Sequence, residues 1–289
     1  MNVQKLLSSD YRSDWRGFAK ELFKYEEADP GYMLLKRAEL PYEQKLRYVL
    51  AWCTYYNPGI AAIASQYKGE QFYEYLRSVY TVAQRASERR HFRGQAGLKA
   101  LDQWQQRFPR PEDMIEACQG DTYLQVRKNM SDMAQMGDYF YWKLADIWDT
   151  VFDEPVDFTG CERYMPKVPK QGAEIIYDLE LTQSGGYSRE NNPNWMPRTI
   201  QCIEHNISKL DYPVKGGRKL ALQEAETVCC VFKQHVHGDY RLGFRSAKAW
   251  KRLLGMHAKA PKVIDKLCGG LYAGGIWTPK TLADVVVHL

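Results

Sequence analysis

Apolar residues recur at intervals of three and four along most of this 289-residue chain, a spacing that packed helices satisfy and sheets do not. The pattern runs through Trp15–Tyr25, Gln44–Trp52, Phe72–Val82, Leu98–Phe108, Tyr123–Met136, Phe140–Phe152, Ala221–Phe232 and Ser246–Leu254. Strand signals are few, with short β-branched or aromatic runs at Val168 and Glu174–Tyr177, and there is no alternation of strand and helix. No glycine-rich phosphate loop or dinucleotide fingerprint is present. The expected fold is mainly α, with few or no strands.

Punctuation falls at Asp29-Pro30-Gly31, Asn57-Pro58-Gly59, Pro109-Arg110-Pro111, the polar stretch Ser184–Pro197, and Lys215-Gly216-Gly217. The stretch Gly185–Pro197 is the one long loop candidate. It suggests a helical core over 1–183 and a basic helical lobe over 184–289 packed on that core. No apolar run approaches the roughly 20 residues of a bilayer-spanning helix, and Met1–Arg16 lacks the apolar centre of a signal peptide. A cytoplasmic protein without membrane association is expected. Seven scattered cysteines without C-x-x-C spacing fit reduced core thiols better than a disulfide or zinc framework.

The net charge is only +5, but its distribution is uneven. Between Arg85 and Arg110 seven basic residues face two acids, and between Lys233 and Lys262 eight face one, Asp239. Between these blocks, Asp138–Glu162 holds seven acids and one base. Basic blocks around an acidic centre suit a surface that binds polyphosphate. In Met136–Gly160, MGDYFYWKLADIWDTVFDEPVDFTG, the positions Phe140, Leu144, Ile147, Trp148, Val151 and Phe152 form one helical stripe starting near Gly137. Lys143, Asp146, Asp149 and Asp153 fall on the opposite face. The helix stops at Glu154-Pro155, and Asp157 follows between Val156 and Phe158, where desolvation of its carboxylate is expected.

This order of glycine, buried helix and aspartate resembles the helix-hairpin-helix DNA glycosylase superfamily, with Gly137 at the phosphate-gripping hairpin and Asp157 in the catalytic place. The single glycine of Gln135-Met136-Gly137 departs from that hairpin, which usually carries two. Three further stretches, WCTYYNPGIAAIAS (52–65), ERRHFRGQAGLKAL (88–101) and ETVCCVFKQHVHGDYRLG (226–243), together with GDYFYWKLADIWDTVFDEPVDFTG, resemble the phage α-glutamyl/putrescinyl thymine pyrophosphorylases, also called amino acid:DNA transferases. The resemblance covers roughly residues 35–252. It implies an enzyme of DNA hypermodification in the infected bacterial host cell. Its substrate would be DNA carrying a pyrophosphorylated 5-hydroxymethyluracil, and an amine such as glycine or putrescine would replace the pyrophosphate.

Each task in such a reaction has candidates. Arg89, Arg90, His91 and Arg93 supply cationic donors for pyrophosphate, with Arg89 and Arg93 on one helical face. Tyr55, Tyr56 and Asn57 offer rings and an amide for a flipped base. Asp157 is the expected general base, with Lys143 as a neighbour and Glu226 as an orienting acid for the amine. Gly137, Lys233, His235, His237 and Arg241 are expected on DNA phosphates, the Lys233-x-His235-x-His237 alternation placing all three on one side of an extended segment. Two histidines without a third ligand do not make a metal site, so neither metal nor cofactor is expected beyond magnesium accompanying pyrophosphate. Two other classes stay open on the sequence: a base-excising glycosylase, and a non-catalytic DNA-binding helical protein.

Overall fold

The computed structural model describes residues 3–83, 92, 94–184, 188–210 and 220–289. Among them are sixteen α-helices, and the extended pairing they contain is a lone parallel bridge between Thr122 and Asp157. The first half runs through α1 (Val3–Ser8), α2 (Trp15–Lys24), α3 (Pro30–Arg37), α4 (Tyr42–Tyr55), α5 (Pro58–Ala64), α6 (Gly69–Ser78), α7 (Gly94–Arg107) and α8 (Pro111–Glu116). The second half comprises α9 (Tyr123–Met130), α10 (Asp138–Val151), α11 (Lys167–Ser184), α12 (Trp195–Ile207), α13 (Leu222–Val236), α14 (Phe244–Leu254), α15 (Pro261–Tyr272) and α16 (Pro279–Val286). The fold is mainly α, as the periodicity predicts.

Several punctuation marks in the sequence are helix starts. Pro30, Pro58 and Pro111 each occupy the first turn of a helix, where a missing N–H costs nothing and the fixed φ is already helical. At α5 the Asn57 side chain accepts from the Gly59 and Ile60 amides at 3.0 and 3.3 Å, satisfying two of the four N–H groups a helix start leaves unpaired. The strand signals at Val168 and Glu174–Tyr177 are overridden, because both lie inside the long helix α11. The expected long loop is also shorter: a 3₁₀ turn forms at Arg189–Asn191, and Trp195 already opens α12. Residues 185–187 lie outside the described chain.

Helix α10 is the centre of the molecule. Every residue from Phe140 to Val151 is buried, so the face carrying Lys143, Asp146 and Asp149 is enclosed along with the apolar stripe. A helix hydrophobic on one side and charged on the other is buried all round only where other elements bring partners to its charges. Here α3 and α9 pack directly against it. Helices from either side of residue 184 share a single apolar core: α13 lies on α11 and α2, α15 on α3, and α14 on α5 and α3.

Two close backbone approaches fix this arrangement. A Cβ on Gly172 of α11 would stand 1.9 Å from the Cys229 carbonyl oxygen of α13, and one on Gly59 of α5 would stand 2.6 Å from the Arg252 carbonyl oxygen of α14. Neither partner is a side chain that can turn away. Replacement Gly172→Ala is therefore expected to destabilise the chain by about 3 kcal/mol, since only backbone displacement makes room. By contrast, Gly269→Ala in α15, where a Cβ meets nothing within 4 Å, is expected to stabilise by about 0.5–1 kcal/mol through helix propensity. Urea unfolding of both variants against the parent measures the difference.

Candidate functional site

The turn between α2 and α3, Glu26-Glu27-Ala28-Asp29, carries three carboxylates, each with its own set of partners. Glu26 has positive φ (53°) and makes a two-pronged pair with Arg37, both contacts at 2.6 Å. Glu27 is fully buried and accepts from the Arg245 and Ser246 amides at 3.0 and 2.9 Å and from the Tyr240 hydroxyl at 2.9 Å. It therefore satisfies the first turn of α14, where a negative charge is also favoured by the helix dipole. Burial pushes the Glu27 carboxyl pKa above its ordinary value, against the pull of those donors. Asp29 is half-buried; its Oδ2 accepts from the Thr227 hydroxyl at 3.0 Å and its Oδ1 lies 3.4 Å from Arg245.

Thr227 extends the chain of contacts inward. Its neighbour Glu226 lies 3.3 Å from the Lys143 ammonium, a pair with side-chain exposures of only 1% and 6%. Burial works most strongly against the Lys143 charge, but Glu226 together with Tyr32, Asp29 and Tyr56 outweighs it and holds the lysine pKa well above the ordinary value. The buried hydroxyl of Tyr32 faces the same group, near Lys143, Asp146, Asp29 and Tyr56, and has no hydrogen-bond partner among the described residues. Above it the rings of Tyr32, Trp52, Tyr56 and Tyr139 are in successive contact, Trp52 and Tyr56 at 4.1 Å between centroids.

On the outer side of Arg245 a cleft of about 700 Å³ opens between α5, the end of α6, the end of α13, and α14. One wall is cationic, formed by Arg245, Lys248, Lys251, Arg252 and Lys259. Apolar and aromatic side chains come from α5 and the end of α6, as Ile60, Tyr75 and Val79, while Phe244 and Met256 lie beside the cations at the two ends of α14. Among the described residues Asp239 is the single acidic side chain in its lining. Arg245 is anchored from behind by the Ala28 carbonyl and Asp29, so its charge is held at the boundary between cleft and interior. A surface of this kind takes an anionic ligand that carries an apolar ring.

Most residues expected at the site take different places. Asp157 is exposed: the alternation that buries Val156 and Phe158 turns the carboxylate outward, where it caps its own turn by accepting from the Thr159 amide at 2.8 Å. The Thr159 hydroxyl and amide together hold its pKa below the usual value, so the expected desolvation is not found. Gly137 is the exposed N-cap of α10 in extended conformation, and the left-handed residue of the α9–α10 turn is Gln135. Tyr55 is core, its hydroxyl donating to the Leu76 carbonyl, whereas Tyr56 accepts from the Tyr139 hydroxyl at 2.9 Å beside the buried group. Asn57 lines the cleft while capping α5. Lys143 and Glu226 are brought together. Arg89, Arg90, His91 and Arg93 lie outside the described residues.

The extended run expected at Lys233–His237 is the end of helix α13 and its cap, so the three side chains do not share a side. Lys233 reaches Gln171 at 2.5 Å, and His235 is buried; His237 and Arg241 are exposed. Sequence reasoning passed over Asp29, Tyr32 and Arg245, although the Asp-Pro step at 29–30 marks a helix start. A group of three buried carboxylates, Asp146, Asp149 and Glu224, brings ligand oxygens within 4.8 Å of one another, a donor set suited to a cation. Each is also engaged internally, by Thr150, by Gln223 and the Val156 amide, and by the Ala221 amide respectively.

Fold and cleft together define a helical protein with a groove lined by cations and aromatic rings and backed by buried acids. Residues 10–241 match the family model described as amino acid:DNA transferase, and the chain belongs to that family and is a transferase. It is 30% identical over 247 residues to a glycinyltransferase of Pseudomonas phage PaMx11, covering 78% of this chain and 85% of the relative. It is 28% identical over 257 residues to a putrescinyltransferase of Delftia phage PhiW-14, covering 86% and 82% respectively. No helix among the described residues is long and apolar enough to cross a membrane.

His235 ties the cleft's far end to the N-terminal segment. Its Nε2 accepts from the Tyr11 amide at 3.1 Å, and its Nδ1 donates to the Tyr240 carbonyl at 3.1 Å, an arrangement only the neutral ring provides. Burial accordingly lowers its pKa, against the pull of the Tyr240 carbonyl. The unfolded chain then binds a proton first as pH falls, so this contribution is complete above about 6.5 and is lost as pH drops through the lower folded value. Thermal unfolding of the parent is expected to lose more stability between pH 7.5 and 5 than that of His235→Gln.

Proposed function

We propose that this transferase acts on DNA, replacing the pyrophosphate of a 5-pyrophosphoryloxymethyl-deoxyuridine with an amine, either an amino acid such as glycine or putrescine, and releasing pyrophosphate. The observation that carries the reading is the two-walled cleft set against the Asp29–Thr227–Glu226–Lys143 group. A departing diphosphate needs fixed positive charge, which Lys248, Lys251, Arg252 and Lys259 supply on one wall. A base withdrawn from its stack needs apolar and aromatic surface, which Tyr75 and Val79 supply from the end of α6 and Phe244 from the start of α14. Family membership and the two phage relatives, named for glycine and putrescine transfer, support the amine as second substrate.

The residues divide the work by position. The cationic wall holds the phosphate-rich end of the substrate, and Arg245, fixed by Asp29 and the Ala28 carbonyl, sits where that end meets the interior. Exposed His237 and Arg241, which flank the cleft-lining Asp239 and Tyr240 in sequence, extend the surface toward the DNA backbone. Magnesium enters this scheme as a counterion of the diphosphate, and the enzyme acts in the cytoplasm of an infected bacterium.

Incubation with DNA carrying the pyrophosphorylated base and a panel of amines, followed by digestion to nucleosides and mass measurement, tests the reading. One nucleoside gaining the amine per diphosphate released is the expected result. Abasic sites would instead identify a glycosylase, and unchanged nucleosides with every amine would overturn the reading. For the DNA surface, Lys248→Ala/Lys251→Ala is expected to weaken binding and to reduce the slope of log K against log salt by about 2, roughly 0.9 for each phosphate that the double variant leaves without a lysine.

A further inference from the structure

We propose that Asp29 is the general base that takes the proton of the incoming ammonium, with Thr227 and Arg245 holding its carboxylate in place. The inference rests on the transferase reading above and assigns its proton-transfer step to a residue in the α2–α3 turn.

An amine that is an ammonium at neutral pH has no lone pair to attack with, so some carboxylate must receive a proton beside the leaving group. Glu226 is enclosed at 1% side-chain exposure and already neutralises Lys143. Asp157 faces solvent and is occupied by its own turn. Asp29 is 16% exposed, lies directly behind Arg245 of the cleft wall, and opens α3 without spending its side chain on a helix-capping bond. One hydrogen bond from Thr227 at 3.0 Å and a longer approach from Arg245 at 3.4 Å leave lone pairs on its carboxylate to spare.

The surroundings also suit an amine. The Tyr32 hydroxyl, one turn further along α3, is 3% exposed and has no partner among the described residues, so a polar atom arriving beside Asp29 would satisfy it. The charged and titratable groups facing Asp29 are Arg245 from α14, Lys143 from α10, Glu226 and Cys230 from α13, and Tyr32 from α3 itself. In the step proposed, the ammonium gives one proton to Asp29 and becomes a neutral amine. Its lone pair forms the C–N bond to the exocyclic carbon, and the C–O bond breaks with its electron pair on diphosphate. The product is a secondary ammonium plus diphosphate, and the proton on Asp29 passes to diphosphate or water.

The test compares full-length parent, Asp29→Asn and Asp239→Asn with two nucleophiles on the pyrophosphorylated DNA. One is whichever of glycine and putrescine the parent transfers faster; the other is methoxyamine, which is already neutral at pH 7. With the first, Asp29→Asn is expected to lower turnover by about 10²-fold or more and to erase the acidic limb of the parent's pH profile. With methoxyamine its turnover stays within a few-fold of the parent, and DNA binding is retained. Equal losses with both nucleophiles would mean a merely structural role and overturn the proposal. So would full activity of Asp29→Asn, or the same selective loss in Asp239→Asn in its place. A parent that transfers neither nucleophile defeats the transferase reading itself, a failure visible before any variant is made.

Discussion

The buried Glu27 carboxylate, accepting two amides from the first turn of α14 and the Tyr240 hydroxyl, is the interaction on which the arrangement of the cleft depends. A helix start buried without partners for its amides would cost about 1–3 kcal/mol for each. One acid from a distant turn supplies two of them together with a favourable charge at the positive end of the helix dipole. Because Glu26 grips Arg37 and Asp29 meets Thr227 and Arg245, the same four-residue turn also orients α3 and the exposed face of α14. The cationic wall therefore stands where it does because of acids far away in sequence, with 218 positions between Glu27 and Arg245.

The charges around α10 raise a related question of balance. Lys143 is enclosed in a helix whose neighbours along the same face are Asp146 and Asp149, and its partner Glu226 comes from α13. Isolated burial of any of these ions would cost several kcal/mol, and a pair of this sort adds little net stability even when its geometry is good. A fold selected for stability alone is better served by apolar residues there. Thr227 lies within hydrogen-bond distance of both Glu226 and Asp29, so the buried pair is linked through Asp29 to Arg245 of the cleft lining.

How much of this was legible in the sequence varies with the range of the interaction involved. The three-to-four periodicity specifies the mainly α fold and the position of α10 within a residue or so of Gly137, because helical amphipathicity is local information. The prolines at 30, 58 and 111 read as breaks, yet each also begins a helix, since the same missing N–H that stops one helix is harmless at the start of the next. Asp157 misled because flanking apolar residues in an extended segment bury their own side chains and turn the one between them outward. Lys143 and Glu226 each stood out in the sequence as candidate side chains, in separate roles, and nothing local indicates that they meet across 83 positions. Asp29 and Arg245 escaped notice for the same reason.

Gly59 and the Arg252 carbonyl leave no space between α5 and α14 for even one additional carbon. The slot between them thus has a gauge set by main chain touching main chain, and side-chain exchange on either helix leaves that gauge alone. A change in what this cleft admits therefore falls on the side chains that line it, much as a lock is rekeyed by changing its pins while the barrel is kept.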